Sequence, residues 1–297
     1  MKATVSQIYT TSKVTSTDGT LIGYRQFGHG PGVVLVHGGM QASQNFMKLA
    51  DSLSDTFTVY VPDRRGRGLS GPFGDNYSIK KECEDLAALL EKTSAHYVFG
   101  LSSGALVAMQ AALSLPVIQK VALYEPPLSV DGSSLTLWLA RYDKEVAKGD
   151  LAAAFITVIN ETGIEDPPIL FKVLPRFVLA SFMRPAIRAQ ARKTQGDDVP
   201  LEALIPTMHY DAHLANDLKG ALYTFKDMRS EVLLLGGSKT QGYLRAALDA
   251  LQNVLPHIRR IEFPGVGHLV ADNDGKPELV AEQLRRFFGP PDEGLAT

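Results

Sequence analysis

The sequence predicts an α/β protein: a mostly parallel β-sheet flanked by helices, with a helical cap inserted before the penultimate strand. Three observations carry that expectation. Short, nearly continuous apolar runs such as Val33-Val34-Leu35-Val36 alternate with helical stretches, the pattern of strands buried on both faces and joined by crossover helices. The alternation stops between Pro126 and about Arg229 and then resumes. A serine between glycines, Gly100-Leu101-Ser102-Ser103-Gly104, falls at a strand-to-helix junction, the rim at which such sheets bind their ligands.

The first elements read as a hairpin. Thr11 to Ser16 and Leu21 to Phe27 are strand-like, and Asp18-Gly19 between them is a turn signal. Gly28-His29-Gly30-Pro31-Gly32 breaks the pattern before Val33 to Val36. That glycine-rich piece precedes its strand and lacks a suitably placed lysine, so it reads as a loop and not as a phosphate cradle. Further strands are expected at Phe57 to Val61, Tyr97 to Phe99, Ile118 to Tyr124, Glu231 to Leu235 and Ile258 to Phe263. Helices are expected at Phe46 to Leu53, Ile79 to Lys92, Ala105 to Leu115, Gly242 to Leu255 and Pro277 to Phe288. The core therefore takes residues 1–126 and 230–297, and the cap residues 127–229. The cap carries recurring apolar residues, among them Trp138, Tyr142, Phe155, Phe171, Phe177 and Phe182, punctuated by Pro167-Pro168 and Pro175. Each reads first as cap core, and together they supply an apolar pocket roof. The proline-rich, acidic tail from Gly289 reads as frayed.

Bulk composition narrows the function classes. A chain of 297 residues with a net charge of −2 gives no electrostatic reason to expect nucleic acid or an anionic membrane as partner. The single cysteine, Cys83, excludes an internal disulfide and a cysteine-rich metal site. Met1 to Lys13 lacks the apolar core of a secretory signal, and no apolar run reaches the roughly 20 residues of a membrane helix. A soluble, cytoplasmic protein is the expectation.

Ser102 is the leading candidate for chemistry. A strand–serine–helix turn between glycines lifts the hydroxyl clear of the backbone, and the following helix aims its free N–H groups at the same spot. A serine needs a base to take its proton. Of the seven histidines, His268 follows the last expected strand in Pro264-Gly265-Val266-Gly267-His268 and faces the same rim. His37 also ends a strand, but its neighbours suit a different task, and His29, His96, His209, His213 and His257 lack comparable placement. Acyl transfer also needs donors for an oxyanion. Ser103 offers its backbone N–H, and His37-Gly38-Gly39-Met40, directly after Val33 to Val36, offers a second from Gly39. Met40 in that loop and Trp138 in the cap are expected to contact substrate.

Taken in order, His37-Gly38-Gly39, Pro62-Asp63-Arg64-Arg65-Gly66-Arg67-Gly68-Leu69-Ser70, the serine turn and Gly267-His268 resemble the alpha/beta-hydrolase superfamily over nearly the whole chain except the cap. The resemblance implies a nucleophile–acid–base triad, and it implies that Asp63 and its arginines chiefly shape a turn. Most relatives place the acid as an aspartate after the strand matching Glu231 to Leu235, where this chain reads Gly236-Gly237-Ser238-Lys239-Thr240-Gln241-Gly242. Some members place it one strand earlier. The zearalenone-type lactone hydrolases, which share Ser-Ser-Gly-Ala at the turn, use a glutamate there. That implies Glu125, whose alternative role is to anchor the cap's first turn. Asp211 and Asp249 are remoter candidates, and Asp272 and Asp274 lie too near His268 in sequence.

The expected activity is hydrolysis of a hydrophobic, small-molecule carboxylic ester or lactone through an acyl-enzyme on Ser102, with no metal or organic cofactor. A serine nucleophile argues against the haloalkane dehalogenases and epoxide hydrolases of this fold, which use aspartate. Carbon–carbon hydrolysis, thioester hydrolysis or a cofactor-free lyase reaction are the alternatives on the same scaffold. A ligand-binding or signalling protein that has lost catalysis is a further one.

Overall fold

The computed structural model describes residues 9–163 and 173–290. Pro167-Pro168, Phe171 and the tail beyond residue 290 lie outside them. Eight strands form one sheet in the order β1-β2-β4-β3-β5-β6-β7-β8. They are β1 (Thr10–Thr15), β2 (Leu21–Phe27), β3 (Gly32–Val36), β4 (Thr58–Pro62), β5 (Tyr97–Leu101), β6 (Lys120–Tyr124), β7 (Glu231–Gly237) and β8 (Ile258–Phe263). β1 pairs antiparallel with β2, and β2 antiparallel with β4. All remaining pairs are parallel. The carboxyl ends of β3, β5, β6, β7 and β8 consequently share one rim.

Side chains on successive strand residues point to opposite faces, and each parallel strand supplies both. Val34, Val36, Val98, Val121, Leu123, Val232 and Leu234 join one buried cluster. Val33, Leu35, Phe99, Ala122, Tyr124, Leu233 and Leu235 join the other. Three helices cover the first face, α2 (Ile79–Thr93), α3 (Ser103–Ser114) and α8 (Gly242–Val254), through residues such as Leu86, Ala108 and Leu251. α1 (Met47–Leu53) and α9 (Pro277–Phe288) cover the second, through Leu49, Leu53, Val280 and Leu284. Apolar runs without an exposed face are therefore what this sheet requires.

Between β6 and β7 the described residues contain no strand. α4 (Leu139–Ala147), α5 (Leu151–Thr162), α6 (Arg176–Lys193) and α7 (Met208–Asp217) occupy this stretch. They bury a core of their own around Trp138, Tyr142, Ile156, Leu179 and Ile205. Asp150 starts α5 by accepting the Ala153 N–H, an N-cap, and Gly163 ends it in the left-handed conformation. Not every cap aromatic turns inward: Phe177 and Phe182 on α6 are exposed, which removes them from the expected pocket roof. Among the described residues no helix is long and apolar enough to cross a membrane.

Candidate active site

Ser102 joins β5 to α3 in a backbone conformation that few side chains tolerate, with φ 55° and ψ −122°. Such strain persists only where the surroundings enforce it. The Ser102 N–H donates to the Tyr124 carbonyl at 2.9 Å, and the Ser102 carbonyl accepts from Ala105 and Leu106. Both flanking glycines are sterically obligatory. A Cβ on Gly100 would lie 2.5 Å from the Gly104 carbonyl oxygen, and one on Gly104 would lie 2.3 Å from that of Val36. Hydrogen at Gly100 thus lets α3 fold back on β5, and hydrogen at Gly104 lets the elbow pack against β3.

His268 follows β8 and is buried. Its loop is tied down by the Tyr124 hydroxyl, which donates to the Gly267 carbonyl at 2.8 Å. His268 Nδ1 lies 2.6 Å from Glu125 Oε2. Glu125 stands directly after β6, fully buried and itself at positive φ (47°). Its other oxygen, Oε1, accepts the Gly237 N–H at 2.7 Å and the Thr240 hydroxyl. A carboxylate that accepts from all sides leaves Nδ1 of the imidazole as donor, which places the lone pair on Nε2. That Nε2 is buried and has no hydrogen-bond partner among the described residues.

The loop after β3 lines the same cavity as Ser102 and His268. Met40 adopts φ 51°, and the Gly38 N–H donates to Gln41 Oε1 at 2.8 Å. Gln41 Nε2 in turn donates to Asp272 Oδ2 at 2.9 Å, as does Asn45 Nδ2 at 2.8 Å. Asp272 therefore ties this loop to the His268 loop through Gln41 and Asn45, and burial pushes its carboxyl above the usual range. Among the described residues the backbone N–H groups of Gly39 and Ser103 meet no acceptor. His37 points inward: its Nε2 accepts the Arg64 N–H at 3.2 Å, and its Nδ1 lies 3.0 Å from the Gly38 carbonyl. Burial, with Arg67 and Arg64 nearby, holds its pKa well below the ordinary value.

Asp211, one of the remoter acid candidates of the sequence, makes its bonds elsewhere than His268. It projects from α7 to accept from Ser103 Oγ (2.9 Å), Arg64 Nη1 (2.8 Å) and Arg67 Nη2 (2.6 Å). Burial opposes its charge, but Arg67, Arg64 and the Ser103 hydroxyl outweigh that and hold its pKa at about 2. Arg64 and Arg67 therefore do more than shape a turn. A usable signal existed, since three arginines within four residues after a buried strand demand buried carboxylates. Asp85 answers Arg65 at 2.6 Å, and Glu82 answers Arg64 at 2.8 Å. Asp249 pairs at the surface with Arg260.

Ser102, Ser103, Gly39, Met40, Trp138 and His268 all line one cavity of about 420 Å³. Glu125 lies behind His268, outside that lining. The walls are chiefly apolar, with Leu101, Phe155, Val158, Ile159 and Met208 prominent. Of the remaining histidines, His209 pairs with Asp143 at 2.9 Å and with His213 at 3.1 Å on the outer side of α7. No group of three or more His, Cys, Asp or Glu side chains among the described residues could hold a metal ion. Burial, then Glu82 and Asp85, pushes the Cys83 thiol up to about 12, so it is unreactive.

Residues 33–283 match the family model described as the alpha/beta hydrolase family, and the chain belongs to that family. It is similar to a cis-3-alkyl-4-alkyloxetan-2-one decarboxylase of Shewanella oneidensis, with 26% identity over 95% of this chain and 89% of that protein. Similarity to a 2-(acetamidomethylene)succinate hydrolase of Mesorhizobium japonicum is 24%, over 89% of this chain and 90% of that one. Among solved structures, an alpha/beta hydrolase from Sphaerobacter thermophilus superposes with a TM-score of 0.74. It is 29% identical, over 93% of this chain and all of that one.

Proposed function

We propose that this hydrolase cleaves a hydrophobic carboxylic ester or lactone through an acyl-enzyme on Ser102, with His268 as base and Glu125 as triad acid. The observation that carries the reading is the 2.6 Å contact between His268 Nδ1 and Glu125 Oε2. It leaves Nε2 as an unpartnered base lining the cavity that Ser102 enters. Ser102 Oγ attacks the carbonyl carbon as its proton passes to Nε2. Glu125 then faces an imidazolium, whose charge it stabilises. The carbonyl oxygen becomes an oxyanion, and the free N–H groups of Gly39 and Ser103 are the donors assigned to it. When the tetrahedral intermediate collapses, Nε2–H protonates the departing alkoxide. In a lactone that alkoxide stays attached to the acyl group. Water next attacks the acyl-enzyme, giving its proton to Nε2, and the acid is released as Ser102 regains its hydrogen.

The apolar walls support a hydrophobic substrate, with residues 127–229 serving as a cap over the rim. An oxetan-2-one is a four-membered lactone, so the name of the Shewanella relative supports including lactones. Pre-steady-state hydrolysis of p-nitrophenyl butyrate in excess over enzyme tests the reading. A nitrophenolate burst is expected in the wild type and none in Ser102→Ala, with the fall in rate on the order of 10³-fold or more. A burst that survives in Ser102→Ala would contradict it.

A further inference from the structure

Asp211 belongs to the helical insertion, yet its carboxylate is buried against the core. It closes a triangle in which Arg64 Nη1 donates to Asp211 Oδ1 (2.8 Å) and to Ser103 Oγ (3.0 Å), while Ser103 Oγ donates to the same Asp211 oxygen (2.9 Å). Arg64 Nη1 also reaches the His37 carbonyl at 3.3 Å, two residues before Gly39. α7 touches that loop directly as well, because a Cβ on Gly39 would lie 3.0 Å from Met208 Sδ and 3.3 Å from Asp211 Cγ. Both segments that carry the assigned oxyanion donors are therefore referenced to one carboxylate on the insertion. The charges balance: Arg64 and Arg67 face Glu82 and Asp211, so Asp211 brings no uncompensated negative charge to a developing oxyanion.

We propose that Asp211 is a positioning residue that sets the Ser103 and Gly39 N–H groups at the oxyanion position, and that it does so by seating α7 on the core. The proposal rests on the serine-hydrolase reading above. It goes further in making the oxyanion site a joint product of core and insertion. A carboxylate serving only as the counter-ion of two arginines would have no need of the Ser103 hydroxyl. Catalytic geometry is sensitive at this scale, a misplacement of about 1 Å costing on the order of 100-fold.

The test uses the full chain and three variants. Ser103→Ala removes the link to Asp211 while keeping the backbone N–H and leaving both arginines paired, so it folds. Ser103→Thr restores a hydroxyl, and Asp211→Asn keeps the shape but removes the charge. Two probes are titrated: an alkyl trifluoromethyl ketone and the methyl ketone of the same chain. The first adds Ser102 Oγ to its carbonyl carbon, the proton passing to His268 Nε2, and so forms an oxyanion; the second only fills the cavity. Ser103→Ala and Asp211→Asn are expected to bind the trifluoromethyl ketone about 10- to 100-fold more weakly, in the range of one imperfect oxyanion donor. Their affinity for the methyl ketone, whose neutral carbonyl leans far less on those donors, should fall much less, and Ser103→Thr should recover much of the loss. Unchanged affinity for the trifluoromethyl ketone, or an equal loss for both ketones, overturns the positioning role. A wild type that binds both ketones alike overturns the serine-hydrolase reading, and this proposal with it.

Discussion

The backbone N–H of Gly237, at the end of β7, donates to Glu125 Oε1, at the end of β6, across 2.7 Å. This bond joins the empty acid position of the sequence to the carboxylate that faces His268. The Gly236 Cα also borders this carboxylate, a Cβ there lying in ordinary contact with Oε1 at 3.4 Å, while Leu248 Cδ1 at 2.6 Å leaves it little space. The Glu125 N–H meanwhile donates to the Leu235 carbonyl at 3.1 Å. The residue is thus stitched to β7 at both its backbone and its side chain, which lets it hold a positive φ.

Gly237 tests this relationship most sharply. A Cβ there would lie 2.3 Å from the Val266 carbonyl oxygen, a backbone atom two residues before His268 that cannot step aside. Gly237→Ala should destabilise the protein by about 1–3 kcal/mol, the usual range of overpacking, and should lower turnover of p-nitrophenyl butyrate by displacing the His268 loop. Urea denaturation alongside kcat measurement checks both parts. A variant of wild-type stability and rate would show that the glycine makes no such demand.

Legibility from sequence varied with distance along the chain. The hairpin turn at Asp18-Gly19 was readable because Gly19 supplies φ 85° locally. The central strands β3 and β5 were readable because burial on both faces leaves no polar residue in the run. Ser102 and His268 announce themselves through neighbouring glycines. Glu125 could be inferred only by weighing strand ends against each other, since its partner His268 lies 143 residues away. The arginine cluster signalled buried carboxylates but not that Asp211 is one of them, because it lies 144 and 147 residues after Arg67 and Arg64. Phe177 and Phe182 misled for a related reason. Helical spacing shows that a face exists but not which way it turns when the neighbouring helices are unknown.

His37 should make stability depend on pH. Its folded-state pKa lies well below the ordinary value, so the folded chain binds fewer protons than the unfolded one. Its neutral form is therefore favourable above the unfolded pKa of about 6.5, and folding loses about 1.4 kcal/mol per pH unit below it. Asp63, Asp85 and Asp272 are shifted upward by burial and act in the opposite sense at lower pH. Comparison with His37→Gln isolates the histidine. Between pH 7.5 and 5.5 the wild type should lose about 1.4 kcal/mol more than the variant. Equal losses would count against a neutral, buried imidazole.

The cavity should reject anionic substrates. Glu161, Asp211 and Asp272 line it, and no lysine or arginine does among the described residues. Asp211 already consumes its two arginines. A carboxylate on the substrate would be desolvated without a partner. Values of kcat/KM for p-nitrophenyl butyrate should exceed those for mono-p-nitrophenyl succinate by about 10-fold or more, a loss of one poorly solvated charge. Glu161→Lys, a change at an exposed position, should narrow the gap. Equal rates in the wild type would refute the charge selection.

A serine mechanism requires a covalent bond at Ser102. The protein should be mixed with p-nitrophenyl butyrate, quenched in acid within the first turnover, and its peptides weighed by mass spectrometry. A butyryl group on the Ser102 peptide, absent from Ser102→Ala and reduced in Glu125→Gln, is the predicted result. Steady turnover with no acylated Ser102 at any quench time would contradict the serine mechanism.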